Sequence, residues 1–364
     1  MVSSFTLAYG FSQLPAGWLA DRIGPRILIL VGTSGVAACG LLVGLSPAYT
    51  VMVFPMMFMG ILGGAYHPAA SPLVSSTVEE KNRGRALGLH QIGGTGSYFL
   101  TPLIAVGVAS VLGGWRGSFI SMSIITVALG IGLYWLLGRR GYNVRLKNRI
   151  SKSSDEDVLE QIPQRKTFTI LLRKWIDSII QWRKLIAFII LGVILQVSIF
   201  STVSFVSLFA VDNFNLTEEA GAGLLALTNF AGLWSGPLGG YLSDKIGKVP
   251  VMLFVCLIAG PFVYLLSLTS PGWSVSVVLL VMGACMYIGM PVTESYVISH
   301  VPEGKRSTVL GFYYFASRGG PGLVAPALGF LIDKFGFGTG FTVVGAAALA
   351  IMLCCAPFLW GSRD

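Results

Sequence analysis

Apolar runs of about twenty residues follow one another along nearly the whole chain. They lie at about 2–20, 27–46, 50–77, 86–111, 115–137, 185–210, 220–242, 249–269, 273–299, 308–331 and 338–360. A helix rises about 1.5 Å per residue, so a run of roughly 20 apolar residues matches the ~30 Å hydrocarbon core of a bilayer. In hydrocarbon the backbone polar groups must be satisfied within the protein, which makes each run a helix. The pattern predicts an all-α polytopic membrane protein of eleven transmembrane helices, five before a central break and six after it. Only 11% of the residues are charged, against about 25% in a soluble domain. Such a chain cannot cover a surface that faces water. Its many glycines and prolines sit inside the apolar runs, as they do in membrane helices.

The net charge of +9 reads as topology. Taking the loops alternately, every Lys and Arg except Arg116, Lys334 and Arg318 falls on one set. Basic loops stay on the cytoplasmic side. This predicts an integral protein of the inner or plasma membrane, its C-terminus cytoplasmic and the N-terminus of this chain outside. The basic residues are dispersed among short loops, so nucleic acid is not expected as a partner. The five cysteines lie in apolar runs, without C-x-x-C and without Cys/His spacing suited to a metal. No G-x-x-x-x-G-K-[ST] occurs, and no soluble stretch is long enough for a nucleotide-binding domain. Neither a catalytic triad nor a metal site nor a cofactor is expected, and the chain does not read as an enzyme.

Three segments result: an N-terminal bundle at 1–137, a basic linker at 138–184, and a C-terminal bundle at 185–364. The linker begins polar, with SKSSDEDVLEQ at 151–161. Phe168, Leu171, Leu172, Trp175, Ile179 and Trp182 then recur at helical spacing, with Arg173, Lys174, Asp177 and Gln181 on the other face. That pattern predicts an amphipathic helix lying on the inner leaflet.

Residues 17–26 read GWLADRIGPR, and residues 239–248 read GGYLSDKIGK. An offset of 223 carries Asp21 to Asp244, Gly17 to Gly240, Gly24 to Gly247, Pro68 to Pro291, Arg83 to Arg306, and Leu87-Gly88 to Leu310-Gly311. One ungapped offset across separate loops and helices marks a tandem duplication. Both copies lie on the basic side, so the halves share one orientation, an architecture of secondary transporters.

The motif G-x-L-x-D-[RK]-x-G, present in both halves, resembles the signature loop of the major facilitator superfamily. The Arg-Gly-Arg loop at 83–85, the Gly-Trp-Arg corner at 114–116 and the long central linker extend the resemblance over essentially the whole chain. It implies two pseudo-symmetric bundles that rock about a midplane site, carrying a small-molecule substrate with protons across the lipid bilayer as a monomer. In that family the loop joins the second and third helices of each half. Only the run 2–20 precedes the first copy here, so the first helix of a twelve-helix pattern, which lines the cavity in the family, is expected to be absent. Thr101-Pro102-Leu-Ile-Ala105 and Ala325-Pro326-Ala-Leu-Gly329 partly match the family's antiporter motif G-P-x-x-G. His67-Pro68-Ala69 and Gln91-Ile-Gly-Gly94 resemble the fosmidomycin-resistance subgroup of exporters. The leading reading is a proton-coupled secondary transporter, with export of organic anions or drugs as the direction these motifs favour. The alternative is a non-transporting membrane protein on the same fold, a sensor or assembly partner, or an inactive truncated transporter. An in-frame apolar run upstream of Met1 would favour the first reading.

Ionisable and polar residues inside the spans are candidate function. At about 1.5 Å per residue Arg318 lies roughly 18 Å above Arg306, and His67 roughly 18 Å above Glu79. Both are therefore near the midplane, as is Asn229. Arg318, next to Gly319, Gly320 and Pro321, suits bidentate binding of a carboxylate or phosphate, or a structural pair with Glu294 or with backbone carbonyls. His67, Asn229, Gln91 and Tyr313 are further candidate substrate ligands. Tyr9, Gln13, Gln196 and Tyr314 could also line the path, although Tyr313 and Tyr314 cannot both point inward. Glu294 and His90 are the candidate proton carriers. Asp21, Arg22, Arg83, Asp244, Lys245 and Arg306 form the candidate gate. In it a carboxylate is held by a neighbouring helix N-terminus and an Arg, with Arg83 and Arg306 as the natural partners.

Overall fold

The computed structural model describes residues 2–139 and 164–361. Its regular structure is helical throughout. The helices are α1 (Val2–Ile23), α2 (Pro25–Leu45, with one π turn at Val31–Gly35), α3 (Tyr49–Ser76), α4 (Arg83–Leu112) and α5 (Trp115–Arg139). After the linker come α6 (Gln164–Val203), α7 (Val206–Phe214), α8 (Glu218–Ile246), α9 (Lys248–Leu266), α10 (Trp273–His300) and α11 (Arg306–Leu359). The long α11 is bent at Gly336 into two limbs.

Seven stretches of the described residues are long and apolar enough to cross a membrane. The eleven expected runs fall on these seven and on α1, α4 and α8, with α11, one of the seven, taking two runs on the limbs that its bend divides. The three rods outside the seven pack along the centre, where α1 lies on α11 and α4 lies on α8. They carry Gly and polar residues because they face protein on several sides. The outer rods present Leu42, Phe54, Leu129 and Phe254 outward, a surface suited to lipid.

The linker is different from the expectation in one respect. Residues 140–163 lie outside the described residues, as do the side chains of 164–180 that would form the apolar face. The backbone of 164–184 is not a separate helix but runs straight into the following span as α6. No Gly or Pro between Phe168 and Lys184 interrupts the helical hydrogen bonds.

The duplication is visible in the backbone. The offset of 223 carries α1 onto the second part of α8, α2 onto α9, α3 onto α10, and α4 and α5 onto the two limbs of α11. The joints obey it as well. Gly24, between α1 and α2, has φ 90°, and Gly247, between α8 and α9, has φ 103°. Side chains rarely adopt that region, so a reversal this tight calls for glycine. Gly113 and Gly336 (φ 76° and 80°) mark the equivalent joints later in each half.

The two halves have different cores. The C-terminal half packs large side chains, among them Phe188, Phe209, Met252, Tyr296 and Phe341. The N-terminal half has a smaller core of Ala16, Ala20, Leu28, Ile29, Ala65, Ala69, Ala70 and Leu73.

The halves touch most closely at the end bearing the basic loops. A Cβ on Gly17 would collide with the Ser307 carbonyl, and one on Gly240 with the Gly84 carbonyl. Backbone meets backbone there, as in small-residue contacts between membrane helices. Along α4 the packing loosens away from that end. Gly93, Gly94 and Gly107 have no atom near where a Cβ would stand.

Gly240→Ala puts a methyl group against a carbonyl that has no side-chain freedom with which to yield. Overpacking costs about 1–3 kcal/mol, and here the cost falls on the closed arrangement alone. Spin labels replacing Lys81 and Lys305 should move apart in Gly240→Ala and Gly17→Ala. They should keep their spacing in Gly223→Ala, where the added methyl meets open space.

Candidate functional site

The site has two levels, a candidate latch at the basic end and a cavity deeper in the bundle. At the basic end, the carboxylate of Asp21 reaches the start of α11. Its Oδ1 accepts from Ser307 N at 3.1 Å, and its Oδ2 from Thr308 N at 2.8 Å and Thr308 Oγ1 at 2.7 Å. Asp244 does the same at the start of α4, accepting from Gly84 N at 2.9 Å and Arg85 N at 2.8 Å. Residues 84 and 85 are the 223-offset equivalents of 307 and 308, so each half caps a helix of the other. A helix start offers N–H groups without intrahelical partners and a partial positive charge. A carboxylate meets both needs.

The arginines take a different place from the one expected. Arg83 pairs with Glu80 at 2.6 Å, and Arg306 with Glu303 at 3.4 Å, each three residues away on its own loop. Arg306 also donates to Val301 O at 3.0 Å. Among the described residues neither guanidinium pairs with Asp21 or Asp244, because the backbone donors of the facing helix occupy the carboxylates. Arg22 lies 3.9 Å over the Trp18 ring and Lys245 5.9 Å over Tyr241. These too are offset equivalents, and both fold back on their own helix.

The cavity encloses about 350 Å³ between α3, α4, α10 and α11. Arg318, His67, His90, Gln91 and Glu294 all line it, so five of the sequence candidates converge. Arg318 Nη2 contacts Met290 Sδ at 3.6 Å. Among the described residues no carboxylate lies within salt-bridge distance of it, so the expected pair with Glu294 is not formed. His67 packs edge-on to Tyr66 and against Tyr314, both with ring centroids at 5.5 Å, and His90 stacks on Tyr66 at 5.9 Å.

The cavity floor consists of two bonds between the halves. Gln91 Nε2 donates to Glu294 Oε1 at 3.4 Å, and Ser71 Oγ and Tyr314 OH share a hydrogen bond of 2.9 Å. The offset turns Ser71 into Glu294 and Gln91 into Tyr314, so these bonds are also a symmetric pair. Asn229 stands behind the wall, accepting from Tyr287 OH at 2.9 Å, and Tyr287 itself lines the cavity.

Four candidates are placed elsewhere. Tyr9 stacks on Phe5 of its own helix with ring centroids at 5.7 Å. Tyr313 is buried in the C-terminal core and is not part of the cavity wall, because its neighbour Tyr314 takes the direction toward the other half. Gln196 donates to Met286 O at 2.7 Å inside the C-terminal half. Gln13 is buried where α1 crosses α11. Ser71, Tyr66, Tyr98 and Tyr287 line the cavity and were not singled out from sequence. Ser71 had a usable signal, since it is the 223-offset equivalent of Glu294.

The sequence profile of the Major Facilitator Superfamily matches residues 1–320 and 202–364. The chain belongs to that superfamily. Among curated relatives, the multidrug resistance protein MdtG of Citrobacter koseri is 22% identical over 365 residues, covering 98% of this chain and 83% of that one. The cis,cis-muconate transport protein of Acinetobacter baylyi is 23% identical over 351 residues, covering 95% and 81%. A protein of Escherichia coli named "Probable L-galactonate transporter" is 32% identical over 140 residues, covering 38% of this chain and only 31% of that one. The fold matches the crystal structure of FucP in the outward conformation with a TM-score of 0.71 and 17% identity, covering 98% of this chain and 88% of that one. Superfamily membership makes this an integral membrane transporter and not an enzyme.

Removing a capping side chain costs about 1 kcal/mol, roughly a fivefold change in a two-state ratio. Asp21→Ala and Asp244→Ala should each lower the population closed at the basic end by about that factor. Asn, which keeps one acceptor oxygen, should do so less. Label distances across the basic end report the ratio directly, and unchanged distances in both Ala variants would exclude the latch.

Proposed function

We propose that the chain is a proton-coupled secondary transporter of small organic anions that works by alternating access. The observation that carries this reading is Arg318. It is a cation on the wall of a cavity between two pseudo-symmetric halves, with no carboxylate within salt-bridge distance among the described residues. An uncompensated charge inside a bilayer is costly, and an anionic cargo is what would neutralise it. A guanidinium grips a carboxylate through two parallel N–H donors. His67, Gln91 and Tyr98 are placed around the same space and would orient the rest of the molecule. Two of the relatives are named for carboxylates, muconate and galactonate, which supports the same class. MdtG is named for drugs, and the aromatic walls of the cavity would suit an amphipathic anion.

Coupling is assigned to Glu294 on the cavity floor, with His90 on the route to it. The basic end is taken as cytoplasmic, with the N-terminus of this chain on the opposite side. The described state, joined by the two aspartate caps, is then closed to the cytoplasm. Each half completes the cavity of the other, so a monomer is sufficient for the cycle.

The test is flux through the full chain in liposomes carrying an imposed proton gradient, with labelled carboxylates including cis,cis-muconate, read in both directions. Gradient-driven flux is expected. Arg318→Lys, which loses the bidentate grip, should lower apparent affinity about tenfold or more, since a hydrogen bond to a charged group contributes about 1.5–3 kcal/mol. Flux of no carboxylate in either direction would overturn the reading.

A further inference from the structure

Among the described residues, two buried polar atoms on the cavity floor have no hydrogen-bond partner: Oε2 of Glu294 and Oε1 of Gln91. They belong to the two side chains that already meet across the halves through the 3.4 Å contact from Gln91 Nε2 to Glu294 Oε1. Glu294 is 2% exposed and Gln91 9%, so water does little for either orphan. Both orphans are acceptors when Glu294 is ionised. An unpaired buried acceptor costs about 1–3 kcal/mol.

One proton removes both deficits. A carboxylic acid and a primary amide are complementary. The amide N–H donates to the acid carbonyl, and the acid O–H donates to the amide carbonyl. Rotation about the terminal torsions, which are broad for Glu and Gln, closes the ring. The site takes up one proton from cavity water, the carboxylate becomes a neutral acid, and no other bond is made or broken.

We propose that Glu294 and Gln91 form a cyclic acid–amide pair when the basic end is closed, so that a bound proton ties the two halves together at the cavity floor. This deepens the proton-coupling role proposed above for Glu294 and rests on that reading. Ionisation leaves two like acceptors facing each other and loosens the floor. The groups facing Glu294 from the neighbouring helices are His67 and Ser71 on α3, Gln91 and His90 on α4, Tyr313, Tyr314 and Arg318 on α11, and Tyr287 on α10 itself. Arg318 favours the carboxylate, and bringing an anionic cargo to Arg318 withdraws that support. Cargo binding and proton binding therefore reinforce each other on this floor.

The partner chemistry explains why the two symmetric bonds are not alike. Ser71 and Tyr314 occupy the equivalent seats and share one bond between two neutral hydroxyls. The floor has one permanent tie and one that depends on a proton.

The closed form binds the proton more tightly than the open form, so the closed-to-open ratio falls as pH rises. For one linked proton the limit is about tenfold per pH unit. The test uses the full chain in lipid nanodiscs, with labels at positions 81 and 305 for distance and infrared difference spectra for the carboxyl group. Wild type is expected to show a protonated-carboxyl band in the closed form that vanishes in Glu294→Gln. Glu294→Gln can form a similar ring between two amides, and it should stay closed with no dependence on pH. Gln91→Met, close in size and unable to pair, should shift the band and lose most of the pH dependence of the distance.

An ionised Glu294 in closed wild type, or a Gln91→Met spectrum and pH profile identical to wild type, would overturn the pair. The wild-type spectrum decides the question even if a variant fails to fold. Neither readout needs a cargo. A chain with the pair but without carboxylate flux would refute only the transport reading, and proton-driven flux without the carboxyl band would refute only the pair.

Discussion

The arrangement depends on an exchange of caps between the halves. A helix start has backbone donors that nothing in its own helix can satisfy. At the basic end of this protein the satisfying acceptor comes from the opposite half, Asp21 for α11 and Asp244 for α4. Glycine at 17 and 240 lets the backbones come close enough for those carboxylates to reach. The aromatic side chains at 18 and 241 hold the adjacent cations out of the way. Gly24 and Gly247 turn the chain immediately afterwards. The short motif thus contains one complete joint: a close contact, a cap, a screened cation and a reversal.

Polar groups deeper in the bundle are handled differently on its two faces. The outer face presents apolar side chains, a surface suited to lipid, and exposed hydroxyls such as that of Thr126 bond back to their own helix, here to Met122 O at 2.8 Å. Around the cavity the polar groups are tied across the halves, as in Ser71 with Tyr314 and Gln91 with Glu294. Arg318, the cation on the cavity wall, has no carboxylate within salt-bridge distance among the described residues. The floor is tied across the halves, whereas the cation on the wall is not.

Much of this was readable in the residues. Run lengths gave the helical membrane class, and the repeat offset gave two parallel halves whose joints recur at 24 and 247. Arg318, His67, His90, Gln91 and Glu294 were identifiable as buried polar residues and do share one cavity. Partners were harder to see. The expectation that Arg83 and Arg306 meet the aspartates treated charge as the guide, whereas backbone N–H groups, which no sequence displays, hold the carboxylates. Tyr313 and Tyr314 are adjacent, and only the rotation of α11 decides which of them reaches the other half. The helix continuing from 164 to 203 was divided in the sequence reading by its change in polarity, although nothing in its backbone chemistry breaks it.

Reciprocal capping also bears on how far the covalent link between the lobes matters. Neither lobe satisfies its own helix starts at 83–85 or 306–308, and each carries the carboxylate that the other lacks. A polypeptide severed between residues 140 and 163 would still present two surfaces, each complementary to the other and not to itself. Two pieces made separately would thus have a chemical reason to find each other in the bilayer, and a reason not to settle as paired copies of one piece.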